Sequence, residues 1–315
     1  MLGRTADDLF WLSRYVERAE NMARLTEVGY RITLMPRNSD EYREEWRSTL
    51  ASAGCVVGFE SKYGEFTTDN VVNYLLLDPE NPSSVYSCME TARNKARSVR
   101  TAMTTDMWES LNATWLELSS VKPRSMTPNV LPGFLEWVKQ RSQLFRGALL
   151  STSLRNDNYV FNQLGAFMER ADNTARILDV KYYILLPEHE IVGGGMDSYQ
   201  WTTILRSVAA HRSYRWVYRE SYRPWRIAEF LIQCKDMPRS LAYCYGQINA
   251  NLETLAEAYG QRHDCHEFAE ETAHLLNGQT IDDIFQSGLH EFLTDFMGRN
   301  NRLSDDISVA YHFHD

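Results

Sequence analysis

Between Leu12 and Arg24 the apolar residues Leu12, Tyr15, Ala19, Met22 and Ala23 recur on one side of the chain, while Ser13, Glu17, Asn21 and Arg24 fall on the other. At about 100° per residue this is the two-faced pattern of an amphipathic helix. The same pattern runs through residues 133–150, 197–222 and 282–298, and convincing period-two alternation is rare. The proline-bearing stretches DPENP (78–82), VKPRSMTPNVLP (121–132) and LPEHE (186–190) interrupt it and read as links between helices. PENPSS and DMPRS, each a proline with serine close by, read as helix starts. The expected fold class is all-α, with roughly five or six helices in each half of the chain.

Comparing the chain with itself sharpens this picture. YVERAENMARLTEVGYRITL, from Tyr15, matches FMERADNTARILDVKYYILL, from Phe167, so that Glu17, Arg18, Ala19, Asn21, Ala23 and Arg24 recur as Glu169, Arg170, Ala171, Asn173, Ala175 and Arg176. WRSTLAS from Trp46 matches WTTILRS from Trp201 and pairs Ser52 with Ser207. YLLLDPENPSSVYSC (74–88) matches FLIQCKDMPRSLAYC (230–244) and pairs Pro82 with Pro238 and Ser84 with Ser240. Three collinear matches predict two tandem copies of one helical unit, related by an approximate pseudo-twofold. Residues 1–127 form the first, residues 128–315 the second with a linking helix, and the two are expected to pack as one globular domain. Small loop insertions absorb the drift in offset, and the glycine-rich stretch 192–198 is a natural place for one.

The recurring polar residues are the first candidates for chemistry. Glu17, Asn21 and Arg24 share one helix face within two turns, with Arg18 nearer its boundary, and Glu169, Asn173, Arg176 and Arg170 repeat the arrangement. A solvated face needs polarity and no particular residues, yet these four are identical while apolar neighbours drift (Val16 to Met168, Leu25 to Ile177). In one reading the two helices pack together and Glu17 pairs with Arg170 or Arg176 while Glu169 pairs with Arg18 or Arg24, a buried network that fixes register. In another the same groups line a cleft for a ligand carrying a carboxylate and an amine, such as an amino acid or a peptide end. A third makes Glu17 or Glu169 an acid or base of an enzyme.

Each half also carries its own arginine stripe: Arg93, Arg97 and Arg100 in the first, and Arg212, Arg215 and Arg219, interleaved with Tyr214, Trp216 and Tyr218, in the second. These are candidates for anion or partner contacts, or cationic stems covering apolar surface. The net charge of -9, from 33 Lys and Arg against 42 Asp and Glu, argues against nucleic acid or anionic membrane as a partner. No apolar run approaches the ~18 residues of a membrane span, and the N-terminal segment lacks the basic start and unbroken apolar stretch of a signal peptide. A cytoplasmic location is expected. Five widely spaced cysteines without a CxxC pair suggest free thiols, and HxCH at His263, Cys265 and His266 is no recognised zinc spacing. There is no phosphate-binding glycine loop, HExxH or GxSxG, so no metal, cofactor or reaction is expected from motifs.

MLGRTADDLFWLSRYVERAENMARL, FMERADNTARILDVKYYILLP and the run from Trp201 through FLIQCKDMPRS to Cys244 resemble the bacterial alpha-E domain family, named for its helices and its Glu-Arg signature. The likeness spans nearly the whole chain. It implies an all-α fold and partners of two kinds, a circularly permuted ATP-grasp ligase and a transglutaminase-like protein, in a system that makes or modifies a small peptide. The implied role is an accessory or peptide-binding component, with a pathway enzyme or a purely structural adaptor as alternatives. The chain departs from the family at Arg93-Asn94-Lys95-Ala96-Arg97, where members often read Arg-Glu-Asn-Ala-Arg, so a role for that glutamate does not transfer.

Overall fold

The structure, a computed structural model, describes residues 1–34, 39–184, 195–219 and 222–313. The LPEHE junction, residues 192–194 of the glycine-rich stretch and the last two residues of the chain lie outside them. All regular structure among the described residues is helical, and the fold class is all-α. The helices are α1 (Gly3–Thr33), α2 (Ser39–Ser52), α3 (Val56–Lys62), α4 (Thr68–Leu76), α5 (Val85–Ser98), α6 (Thr105–Ser119), α7 (Leu131–Thr152) and α8 (Asp157–Ile184). They continue with α9 (Gly195–Ser207), α10 (His211–Tyr218), α11 (Pro224–Gln233), α12 (Leu241–Tyr259), α13 (Asp264–Gly278), α14 (Ile281–Ser287) and α15 (Leu289–Ala310).

Residues 128–315 thus hold more helices than the five or six expected of each half, because two long amphipathic stretches are cut. Within 197–222 the chain leaves α9 through Ala209 at φ 55° and leaves α10 at Arg219, φ 50°, left-handed conformations that an α-helix does not accommodate. Within 282–298 Gly288, φ 99°, separates α14 from α15. Elsewhere local chemistry sets the boundaries. Ser84 Oγ accepts the Ser87 N–H at 3.1 Å and Ser240 Oγ accepts the Tyr243 N–H at 3.0 Å, capping α5 and α12 where the proline-serine pattern predicts helix starts. The Cys88 and Cys244 thiols then approach the Pro82 and Pro238 carbonyls at 3.8 and 3.9 Å, so α5 and α12 begin with the same local geometry.

The two longest helices carrying the repeated segment, α1 and α8, pack side by side. Around α1 stand α5, α7, α2 and α9; around α8 stand α12, α15, α9 and α2. The helices come close where Gly165 faces Phe10, since a Cβ on Gly165 would overlap the Phe10 carbonyl oxygen. Ser13 seals the same level by donating to Asn162 Oδ1 at 2.7 Å. Trp46 and Trp201, matched in sequence, are both buried, and the buried apolar residues of both halves join one cluster. No helix among the described residues is long and apolar enough to cross a membrane. All five cysteines are free, and four are buried.

Candidate functional site

Surrounded on several sides, α1 and α8 bury both their apolar and their polar faces. Ser13, Glu17, Asn21 and Arg24 are as inaccessible as the leucines opposite them, with Glu17 1% and Glu169 3% exposed. A buried carboxylate is tolerable only when paired and hydrogen-bonded, and here each glutamate meets arginines from across the helix contact. Arg18 donates to Glu169 through Nε (2.6 Å, to Oε1) and Nη2 (2.9 Å, to Oε2). Arg170 does the same to Glu17 at 3.0 and 3.2 Å. These bidentate forks are reciprocal and join the two Glu-Arg dipeptides of the chain.

Arg24 and Arg176, the other expected partners, turn to carboxylates one helical turn before themselves. Arg24 takes Glu20 on α1 and donates to the Ser207 carbonyl; Arg176 takes Asp172 on α8 and donates to the Ser52 carbonyl at 3.3 Å. Asn21 donates to the Glu169 carbonyl at 3.3 Å.

Three further arginines complete the arrangement, none of them marked by the repeated segment. Arg14 gives Glu169 Oε2 a further single bond from Nε at 2.9 Å and reaches Ser304 on α15. Arg146, from α7, pairs with Glu17 at 2.7 Å and with Glu20 at 2.5 Å. Arg239, from the residue before the α12 cap, pairs with Glu17 at 3.1 Å and with Glu20 at 2.6 Å. Glu20 and Asp172 were legible as an acidic pair at the same offset as Glu17 and Glu169. Arg239 stands in the matched DMPRS segment, where its counterpart is Ser83, whereas nothing in the repeats marks Arg146.

Burial alone would raise the carboxyl pKa values, but the guanidinium groups outweigh it. Arg18 and Arg14 hold Glu169 down at about 2, and Arg170, Arg146 and Arg239 hold Glu17 well below the usual carboxylate range. Burial lowers Arg239 to about 10 in spite of Glu20, so it stays cationic at neutral pH. A carboxylate held this low is a weak base at pH 7, which makes either glutamate poorly suited to acid-base work.

The network is not filled everywhere. A cavity of about 230 Å3 opens beside Glu169 and Asp172, walled by Arg18, Arg176 and Ser83. Asn21 and Asn173 also line it, each 2% exposed. Among the described residues neither polar atom of the Asn173 amide has a hydrogen-bond partner, nor does Asn21 Oδ1. Such orphaned groups are rare in folded interiors and call for a specific reason.

The arginine stripes lie away from this centre. Arg93 donates to Asn112 at 2.9 Å, and Arg93 and Arg100 lie over the Trp108 ring, while Arg97 is exposed. Arg212, Arg215 and Arg219 are exposed, and Arg212 borders an apolar hollow with Trp216 and Phe230. His266 is spent on structure: its ring approaches the His263 N–H and the Leu252 carbonyl, both at 3.1 Å, at the start of α13.

Residues 1–312 match the model of the Alpha-E family, described as a predicted alpha-helical domain with a conserved ER motif. The chain belongs to this family. Glu17-Arg18 and Glu169-Arg170 are its two Glu-Arg dipeptides, and both lie at the buried contact of α1 with α8. An uncharacterized protein of Mycobacterium bovis is 31% identical over a 118-residue alignment that covers 33% of this chain and 13% of that protein. An uncharacterized protein of Mycobacterium tuberculosis strain H37Rv is 30% identical over the same shares. The match therefore spans only a small fraction of these relatives' length. No solved structure matches the chain.

Proposed function

We propose that this Alpha-E chain is a helical binding component whose Glu-Arg cavity holds a small polar ligand, an amino acid or a peptide end. The observation that carries this reading is the Asn173 amide, buried against the cavity with neither donor nor acceptor matched among the described residues. Leaving such a group unmatched costs roughly 1–3 kcal/mol, which a ligand bonding to it offsets. Arg18 and Arg176 suit a carboxylate or carbonyl, and Glu169 and Asp172 suit a cationic nitrogen, so the lining offers groups for a ligand bearing both. The reciprocal forks and the matching first turns of α5 and α12 favour an origin in two copies of one unit whose centres have diverged.

The ligand would serve an ATP-grasp amide ligase that makes or modifies a small peptide, with a transglutaminase-like protein in the same system. This part rests on the family resemblance. The mycobacterial relatives, in which the matched segment is a small part of a long chain, fit a module that works beside other activities.

Thermal melting against a panel of free amino acids and dipeptides tests the first part. At least one compound should raise the melting temperature of the wild type, and none should do so for Asn173→Leu. A flat panel with the wild type, or an equal response in the variant, sinks the ligand reading. For the second part, failure of the chain to co-purify with such a ligase, together with normal ligase activity in its absence, removes the partnership.

A further inference from the structure

The two carboxylate centres differ at two matched positions, and the differences bear on what the open one takes. At the closed centre Glu17 Oε1 accepts from Arg170 Nε and Arg239 Nη1, and Oε2 accepts from Arg170 Nη2 and Arg146 Nη1. At the open centre Glu169 Oε2 accepts from Arg18 Nη2 and Arg14 Nε, so Arg14 takes the part of Arg146. Glu169 Oε1 accepts only from Arg18 Nε among the described residues. The bond lacking there is the one Arg239 makes at Glu17.

The second bond of Arg239, from Nη2 to Glu20 Oε1 at 2.6 Å, has no equivalent either, since the described partner of Asp172 is Arg176 alone. Both differences trace to covalent structure. Ser83 takes the place of Arg239 between the matched proline and the matched cap serine, and Asp172 is one methylene shorter than Glu20. A truncated arm and a retracted carboxylate leave the cavity that Ser83, Glu169 and Asp172 line.

We propose that this cavity binds a guanidinium group, carried by free arginine, by a related amine or by an arginine-bearing peptide. Two of its N–H edges take Glu169 Oε1 and Asp172, as Arg239 takes Glu17 and Glu20. The proposal rests on the small-ligand reading above and specifies the ligand's cationic end. The arginine count agrees with it: the closed centre sets Arg24, Arg146, Arg170 and Arg239 against two carboxylates, the open centre only Arg14, Arg18 and Arg176, and a bound guanidinium makes the two alike in number. A planar fork matches paired carboxylates better than an ammonium does. The Asn173 amide and Asn21 Oδ1 remain for the polar groups at the ligand's other end.

Calorimetric titration of the full chain with L-arginine, agmatine, L-citrulline and L-glutamate tests this. Arginine or agmatine should bind with one equivalent per chain, and citrulline, in which a neutral urea replaces the guanidinium, about tenfold more weakly or worse. Ser83→Arg, which supplies the lacking arm from within, should melt no lower than the wild type and lose arginine binding. Equal binding of citrulline and arginine, or of glutamate alone, overturns the guanidinium assignment and leaves the small-ligand reading standing. Unchanged arginine binding in a folded Ser83→Arg overturns the location. If that variant does not fold, Arg239→Ser provides the converse. It should take up a second equivalent of agmatine, and millimolar agmatine should recover more of its lost melting temperature than citrulline does; unchanged stoichiometry without recovery refutes the proposal.

Discussion

The centre around Glu17 and Glu20 and the centre around Glu169 and Asp172 are built from the same segment, placed on adjacent helices and joined by the same forked contact. One is filled by arginines from three other helical neighbourhoods, Glu20 Oε2 being met by the Arg146 charge at 2.5 Å without a hydrogen bond among the described residues; the other keeps a cavity lined by an unmatched amide. The pair teaches that a buried ionic network and a binding site are not different kinds of structure. A polar stripe becomes core where the chain supplies every counter-group and becomes a site where one counter-group is withheld.

The largest effects come from removing the carboxylates. Glu17→Gln strands Arg170 in the interior, leaves Arg146 and Arg239 with Glu20 alone, and should cost about 3–5 kcal/mol of unfolding free energy. Glu169→Gln takes a partner from only two arginines, Arg14 and Arg18, one of them partly exposed, and should cost less. Urea unfolding of both variants measures this order, and a larger loss in Glu169→Gln would break the distinction between a closed and an open centre. The acid limb of stability carries the same information. Glu20 and Glu169 have folded pKa values of about 2, below the usual carboxylate value of 4.5, so the unfolded chain binds more protons between these limits. Stability from these pairs is complete above pH 4.5 and falls as the pH drops toward 2. Glu169→Gln should flatten part of that fall in a pH series of melting temperatures, and an unchanged slope would mean that the pair contributes nothing.

A smaller effect is expected at the contact that holds the centres together. Gly165→Ala puts a methyl group into the Phe10 carbonyl and must push α8 from α1, at a cost of about 1–3 kcal/mol. Because the reciprocal forks cross this contact, a double-mutant cycle of Gly165→Ala with Glu17→Gln should be non-additive. Additive losses would show the forks to be independent of the spacing.

Much of this was legible in the residues. The apolar periodicity fixes the all-helical class, the proline-serine starts of α5 and α12 stand where the pattern puts them, and Glu17, Arg18, Glu169 and Arg170 stood out by recurrence. What periodicity could not distinguish was a stripe facing water from a stripe facing complementary charge, since both read as polar; for Asn21 and Arg24, which are buried, recurrence alone pointed inward. Arg146 was beyond reach because α7 precedes the second repeat without a matched segment in the first. Arg239 was nearer to hand. Its replacement by Ser83 lies inside an aligned pair of segments, where the decisive feature is a difference and recurrence marks only likeness. Nor did any residue type mark the breaks at Ala209 and Arg219, where packing imposes a left-handed backbone on residues that rarely take it.

The finest comparison sets the two matched asparagines against each other. Asn21 makes one bond, to the Glu169 carbonyl, whereas Asn173 has no described partner for its oxygen or its nitrogen. Leucine is close to asparagine in size, so Asn173→Leu removes an uncompensated polar group with little change in packing and should stabilise the ligand-free chain by about 1 kcal/mol. Asn21→Leu gives up a bond and should be neutral or slightly destabilising. Opposite signs in chemical denaturation are the expected outcome. They would mean that the chain gives up stability at position 173 to keep an amide that its own fold does not use. Equal losses in both variants would mean that Asn173 is satisfied within the folded chain, and the cavity would then be a packing defect between two halves of a scaffold.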